Sequence, residues 1–170
     1  MRIAIISDTH GLLRPEVEAF VQGSDLIFHA GDIGKEEVLE KLRACAPVQV
    51  VRGNVDTESW AHQLPSEVSR SFSDPTFRVF MTHKWQDVPE DVHDGHASLI
   101  IIGHSHKPDL AMQAKGTLKL NPGSCGPRRF NLPVCAALMV ANADQVQIKI
   151  LNILTQEQLF EWNGKFDQAF

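Results

Sequence analysis

Cysteine is scarce in this chain: Cys45, Cys125 and Cys135 are odd in number and show no CxxC spacing. That pattern argues against a disulfide framework or a cysteine-held zinc site, and the thiols read as buried small hydrophobes. Long hydrophobic runs are also missing. The apolar stretch at residues 3–6 stops at Asp8 and His10, too short and too polar for a signal peptide or a membrane span. A cytoplasmic protein with no membrane partner is expected. Formal net charge is -5, with acids and bases scattered and no basic stripe, so nucleic acid is not expected as an obligate partner. Linkers, repeats and low-complexity tracts are absent as well. What remains is 170 residues, 43% of them hydrophobic, enough for one core and too few for two ordinary domains. A single domain over residues 1–170 follows.

Short runs rich in Ile, Val and Phe recur, and each ends in a polar cluster. Residues 3–6 lead into Ser7-Asp8-Thr9-His10, residues 26–28 into His29-Ala30-Gly31-Asp32, and residues 48–51 into Arg52-Gly53-Asn54. Residues 77–81 lead into Thr82-His83, and residues 99–102 into Gly103-His104-Ser105-His106. Runs this short, with β-branched residues, read as buried strands. Helical spacing of Pro15, Val17, Phe20 and Val21, and of Val38, Leu39 and Leu42, separates the first three. Such alternation predicts parallel strands joined by crossover helices in an α/β fold. The polar clusters then share the carboxyl edge, where ligands bind in such sheets. Residues 117–120, 134–140 and 146–151 read as further strands, forming a second, mostly antiparallel layer. From Thr155 onward, Leu159, Phe160, Trp162 and Phe166 suggest a terminal helix over 155–170 laid on the body.

Asp8, His10, Asp32, Asn54, His83, His104 and His106 are oxygen or nitrogen donors that all follow strands on this edge. The set suits divalent transition ions, since imidazole binds Mn, Fe, Ni or Zn and carboxylate also accepts harder ions. A shared carboxylate can bridge two ions, and two ions can polarise a phosphoryl group and supply a hydroxide nucleophile.

Taken in order, Asp8-x-His10, Gly31-Asp32, Gly53-Asn54-Val55-Asp56, Thr82-His83 and Gly103-His104-Ser105-His106 resemble the calcineurin-like metallophosphoesterase signature. The resemblance runs from the first residues to about residue 150. Within that family the chain is most similar to the small YfcE-like phosphodiesterases, a likeness strengthened by Asn121-Pro122-Gly123-Ser124. The resemblance implies a two-sheet αββα sandwich and a metal-dependent phosphodiesterase of small phosphoesters. It puts Asp8, His10, Asp32 and His106 on one metal and Asp32, Asn54, His83 and His104 on the other, with Asp32 as the bridge. Catalytic work falls to Asp32, Asn54 and His83. The two ions are expected to be manganese first, with nickel, iron or zinc as alternatives, and a homo-oligomer is compatible with the sequence.

Two departures stand out. Many relatives carry a proton-donating His where this chain has Val55, and the Gly-His that usually follows His83 is replaced by Lys84-Trp85 and an acidic stretch. An alternative from the same family is a catalytically weak or inactive scaffold resembling the small retromer subunit, although a pure scaffold has no chemical reason to keep seven competent donors. A phosphomonoesterase or protein phosphatase fits less well, because those relatives usually carry the His missing at Val55.

Other residues read more plainly. His29, His62, His93 and His96 are expected to be structural. Asp56 reads as a helix N-cap for the segment from Thr57, ahead of its alternative as an acid orienting the ligands. Gly123 and Ser124 either border the site or close a hairpin. Arg128 and Arg129 fit a solvated surface, with phosphate steering as the second reading. Trp162 and Phe166 read as intrachain packing, and Lys84 and Trp85 as pocket lining or as replacements for family contacts.

Overall fold

In the computed structural model, which describes residues 1–129, 131–143 and 145–166, the first apolar run is strand β1 (Arg2–Ile6). Its side chains divide with the two-residue period of a strand. Ile3 and Ile5 enter the core between two sheets, while Ala4 and Ile6 lie beneath helices on the outer face. Helix α1 (Pro15–Val21) begins with a proline, whose fixed φ suits a first turn and whose missing N–H costs nothing there. Strand β2 (Leu26–His29) follows, then α2 (Glu36–Cys45) and β3 (Val48–Val50). Glu36 and Glu37 occupy the first turn of α2, favourably placed for the helix dipole. Val38, Leu39 and Leu42 form its buried face, in the same outer cluster as Val17 and Val21 of α1.

The remaining strands are β4 (Glu67–Ser73), β5 (Thr76–Thr82), β6 (Leu99–Ile101), β7 (Asp109–Met112), β8 (Leu118–Asn121), β9 (Cys135–Ala141), β10 (Val146–Asn152) and β11 (Gln158–Gly164). One sheet has the order β11-β10-β9-β1-β2-β3 and the other β4-β5-β6-β8-β7. The strands at the heart of each run parallel, β1 with β2 and β2 with β3, β5 with β6 and β6 with β8. Their carboxyl ends carry the polar clusters. Ile3, Ile5, Phe28, Met81, Leu99, Ile101 and Met139 meet between the sheets with almost no exposure, each contributing roughly 1.5–3 kcal/mol of burial. A smaller cluster, Phe80, Val88, Val92, Ala97, Ile100 and Ile102, covers the outer face of the second sheet. The fold is thus the two-sheet α/β sandwich, with short helical turns at Trp85–Asp87 and Val92–His96 as the covering layer on that side. No helix among the described residues is long and apolar enough to cross a membrane.

Two expectations are corrected. The later strands do not form a layer of their own: β9 and β10 extend the first sheet antiparallel beside β1, and β8 joins the second sheet parallel to β6. The tail is a strand. Ile150 faces Phe160 but Leu151 faces Gln158, so Leu159 is an extra residue in a bulge. This bulge lets Leu159 and Trp162 both pack on the inner core, which accounts for their helix-like spacing. Residues 167–170 of the expected helix lie outside the described residues. Trp162 and Phe166 stack at 5.0 Å as intrachain packing, and Cys45, Cys125 and Cys135 are free thiols, the last two buried.

Candidate metal centre

Among the candidate ligands, Asp8, His10, Asp32, His104 and His106 have φ between 44° and 67°. This left-handed region is uncommon outside glycine, though Asp and His enter it more readily than most residues. Each such residue costs on the order of 1–3 kcal/mol, which persists only where surrounding contacts enforce it. Those contacts are visible. The loop after β1 is laced to the loop after β2 through Asp8 N to Gly31 O, His10 N to Asp32 O and Gly11 N to Ile33 O, at 3.0, 2.9 and 2.7 Å. Gly103 N bonds His83 O at 3.0 Å, and His104 N donates to Asp8 Oδ2 at 3.1 Å, joining the two sheets' loops. Close approach also explains two glycines. A Cβ at Gly53 would collide with the backbone nitrogen and carboxylate of Asp32, and one at Gly103 with the Ser7 hydroxyl.

The donors form two groups, Asp8 with His10 and His106, and Asp32 with His83 and His104, each with ligand atoms within 4.8 Å of one another. His106 Nε2 lies 3.2 Å from Asp8 Oδ1 and 3.2 Å from His10 Nε2. Asp32 stands between the groups, with Oδ1 3.3 Å from His83 Nε2 and Oδ2 3.8 Å from His10 Nε2. His83 Nδ1 donates to the carbonyl of Ala30 at 2.7 Å, so on a neutral ring Nε2 is a lone pair facing carboxylate lone pairs. Only a proton or a metal cation makes that contact favourable. In the metal-free chain burial works to lower the pKa of His83, but the Asp32 carboxylate and the Ala30 carbonyl outweigh it and raise it. Burial likewise opposes ionisation of Asp32, yet the bonds from His83 and from Val55 N–H, with the charges of His83 and His10, bring it down to about 2. Burial lowers His10, helped by the charge of Arg129, and lowers His104, helped by His83 and Lys84. Neutral imidazoles are the ligand form. Asp8 Oδ1 is buried without a hydrogen-bond partner, and so is His83 Nε2 when the ring is neutral. Orphaned acceptors of this kind, converging on one edge with imidazoles, fit divalent cations.

Asp56 does not cap a helix. Its buried carboxylate accepts Gly53 N at 2.8 Å, Gly34 N at 2.8 Å and Ile33 N at 3.2 Å, clamping the loops that carry Asp32 and Asn54. His29 is structural, as expected. Gly31 N donates to Nδ1 at 3.2 Å, so Nε2 carries the proton toward Thr9 Oγ1 at 3.0 Å, and Thr9 donates to Ile33 O. Neither nitrogen is left for a metal. Burial lowers its pKa to about 4.

Residues 1–144 match the calcineurin-like phosphoesterase superfamily domain. The chain belongs to that family. A probable metallophosphoesterase of Methanothermobacter thermautotrophicus is 32% identical over 153 residues, spanning 82% of this chain and 86% of its own. The fold is shared with YfcE, a phosphoesterase from E. coli, at TM-score 0.71 and 20% identity over 95% and 98% of the two chains. It is shared equally with Vps29 of Entamoeba histolytica, solved in complex with zinc, at TM-score 0.75 and 21% identity over 98% and 100%.

The other named residues of this phosphoesterase fall on either side of the donors. Asn54 is exposed and, with His83, lines a cavity of about 360 Å³ that also has Arg52, His62, Lys84 and Asp87 in its walls. Val55 is 43% exposed and meets the candidate ligands through its N–H, which donates to Asp32 Oδ1 at 3.0 Å. Lys84 belongs to that cavity, whereas Trp85 packs on the outer cluster, edge-on to His93 at 4.5 Å. His96 binds Asp91 O at 2.6 Å, a structural role. Ser124 borders the site, its hydroxyl donating to Asp8 O at 2.9 Å, and Asn121 Nδ2 holds Gly103 O at 2.8 Å. No hairpin closes there, because β8 and β9 lie in different sheets. Arg128 and Arg129 are exposed, and the charge of Arg129 reaches His10.

Proposed function

We propose that this phosphoesterase is a phosphodiesterase of small substrates that works with two divalent ions, manganese first, bridged by Asp32. The observation carrying this reading is that the two oxygens of Asp32 face different histidine sets, Oδ1 toward His83 and Oδ2 toward His10. Asp8, His10 and His106 would complete one site, and Asn54, His83 and His104 the other. When bound, such ions supply Lewis-acid charge for a phosphoryl group and a hydroxide nucleophile near neutral pH. Ala30 and Asp56 keep the ligands in place, Ala30 through its carbonyl on His83 and Asp56 through the loop N–H groups. Arg52 and Lys84 bring positive charge to the cavity beside Asn54, which suits an anionic diester. A cytoplasmic setting is part of the reading, and three free thiols fit a reducing compartment.

The likeness to Vps29 suits the scaffold alternative, and metal binding alone does not separate the two. Turnover does. Hydrolysis of bis(p-nitrophenyl) phosphate is expected with Mn²⁺ and is expected to vanish with a chelator or in His83→Ala. A rate no greater than that of Mn²⁺ alone favours the scaffold.

A further inference from the structure

A diester gives up an alcohol, whose oxygen leaves with the electron pair of the breaking P–O bond and needs a proton unless it is a stable anion. Val55, next to the candidate ligand Asn54, has no proton to give. The cavity of about 360 Å³ shared by Asn54 and His83 is lined by other titratable or charged groups, Arg52, Asp56, His62, Lys84 and Asp87. Guanidinium and ammonium groups hold their protons too tightly to act as acids near neutrality, and a carboxylate is an acceptor only. Asp56 is moreover committed to three backbone N–H groups, and the Nδ1 proton of His83 to the Ala30 carbonyl. That leaves His62.

His62 stands on the short helical turn Ser59–Gln63, and its Nε2 lies 3.0 Å from the carbonyl of Thr57. A carbonyl only accepts, so Nε2 carries a proton and Nδ1 is the nitrogen whose protonation changes with the charge of the ring. Imidazole is the side chain that ordinarily changes charge near neutral pH. Building on the phosphodiesterase reading above, we propose that His62 is the general acid of this enzyme, protonating the leaving oxygen from Nδ1. In the step, the hydroxide oxygen forms a bond to phosphorus while the bond to the leaving oxygen breaks. The leaving oxygen keeps that electron pair and takes the Nδ1 proton, departing as the alcohol. His62 is left neutral and, being exposed, regains a proton from water. The charged and titratable groups facing it are Arg52, Lys84, Asp56, Asp87 and His83 across the cavity and Glu58 beside its own turn.

The test compares wild type with His62→Gln, whose amide can still donate to Thr57 O, at matched manganese content and with thermal stability recorded. The substrates are aryl and alkyl methyl phosphate diesters of graded leaving-group pKa. A positioned acid typically contributes about 10²–10⁴-fold. The variant is therefore expected to lose at least about 10²-fold more on alkyl than on nitrophenyl leaving groups, and to lack the fall in alkyl-ester rate at high pH that is expected of wild type. A uniform loss across the series, or parallel slopes in both proteins, overturns the role of His62 while leaving the phosphodiesterase reading intact. Absence of manganese-dependent turnover in wild type rejects that reading and this inference together.

Discussion

The two sides of the site are built on opposite terms. On the ligand rim, five of the seven candidate ligands have left-handed backbone, and the loops are laced by buried bonds from Gly31, Asp32, Ile33 and Asp56. Across His83, the cavity wall is made of side chains that are mostly exposed, Arg52, His62 and Asp87 among them. The rim spends folding energy on fixing donor atoms, which is what a metal site requires, since loosely held ligands lose affinity. The site thereby joins a rim that fixes donor atoms to a wall of exposed side chains, His62 among them.

This contrast is breakable by mutation. The largest effect is expected for Asp56→Ala, which strands three backbone N–H groups, two of them buried: about 3 kcal/mol less stable to urea, with metal affinity lowered roughly 10–100-fold. Asp87→Asn on the cavity side serves as the contrast, with stability within about 0.5 kcal/mol of wild type and metal content unchanged. Equal effects of the two substitutions would erase the distinction.

An effect confined to low pH is expected at His29, whose folded pKa of about 4 lies below an imidazole's ordinary 6.5 because burial disfavours the cation. The unfolded chain therefore binds the proton first as pH falls, and stability is lost between about pH 6.5 and 4. At 1.36 kcal/mol per pH unit this reaches about 3 kcal/mol at the acid end. Urea titrations in chelator should show the advantage of wild type over His29→Gln constant above pH 7 and shrinking toward pH 4. A pH-independent difference would mean that His29 is not held neutral.

Much of the candidate site's layout was legible in the sequence because each candidate ligand follows a strand, and a run such as residues 3–6 announces both its strand and the edge where Asp8 and His10 emerge. Asp56 was misread because its partners Ile33 and Gly34 are more than twenty positions away, whereas an N-cap is local and always available as an explanation. The left-handed geometry of Asp8, Asp32 and His104 was not legible at all, since it is imposed by bonds between loops from different strands. At the tail, one bulged residue, Leu159, turned a two-residue alternation into a spacing that resembles a helix. The sheet membership of β8 and β9 escaped for a related reason. Pairing partners are chosen by the whole core, not by neighbours in the chain.

The central claim is that one carboxylate, Asp32, joins two metal sites. Elemental analysis after equilibrium dialysis against Mn²⁺, on wild type and Asp32→Asn, tests it most directly. Two equivalents per chain in wild type, and weakened binding of both ions together in the variant, are the expected results. A wild type that never exceeds one equivalent, or a variant that keeps one ion at wild-type affinity, would contradict the bridge.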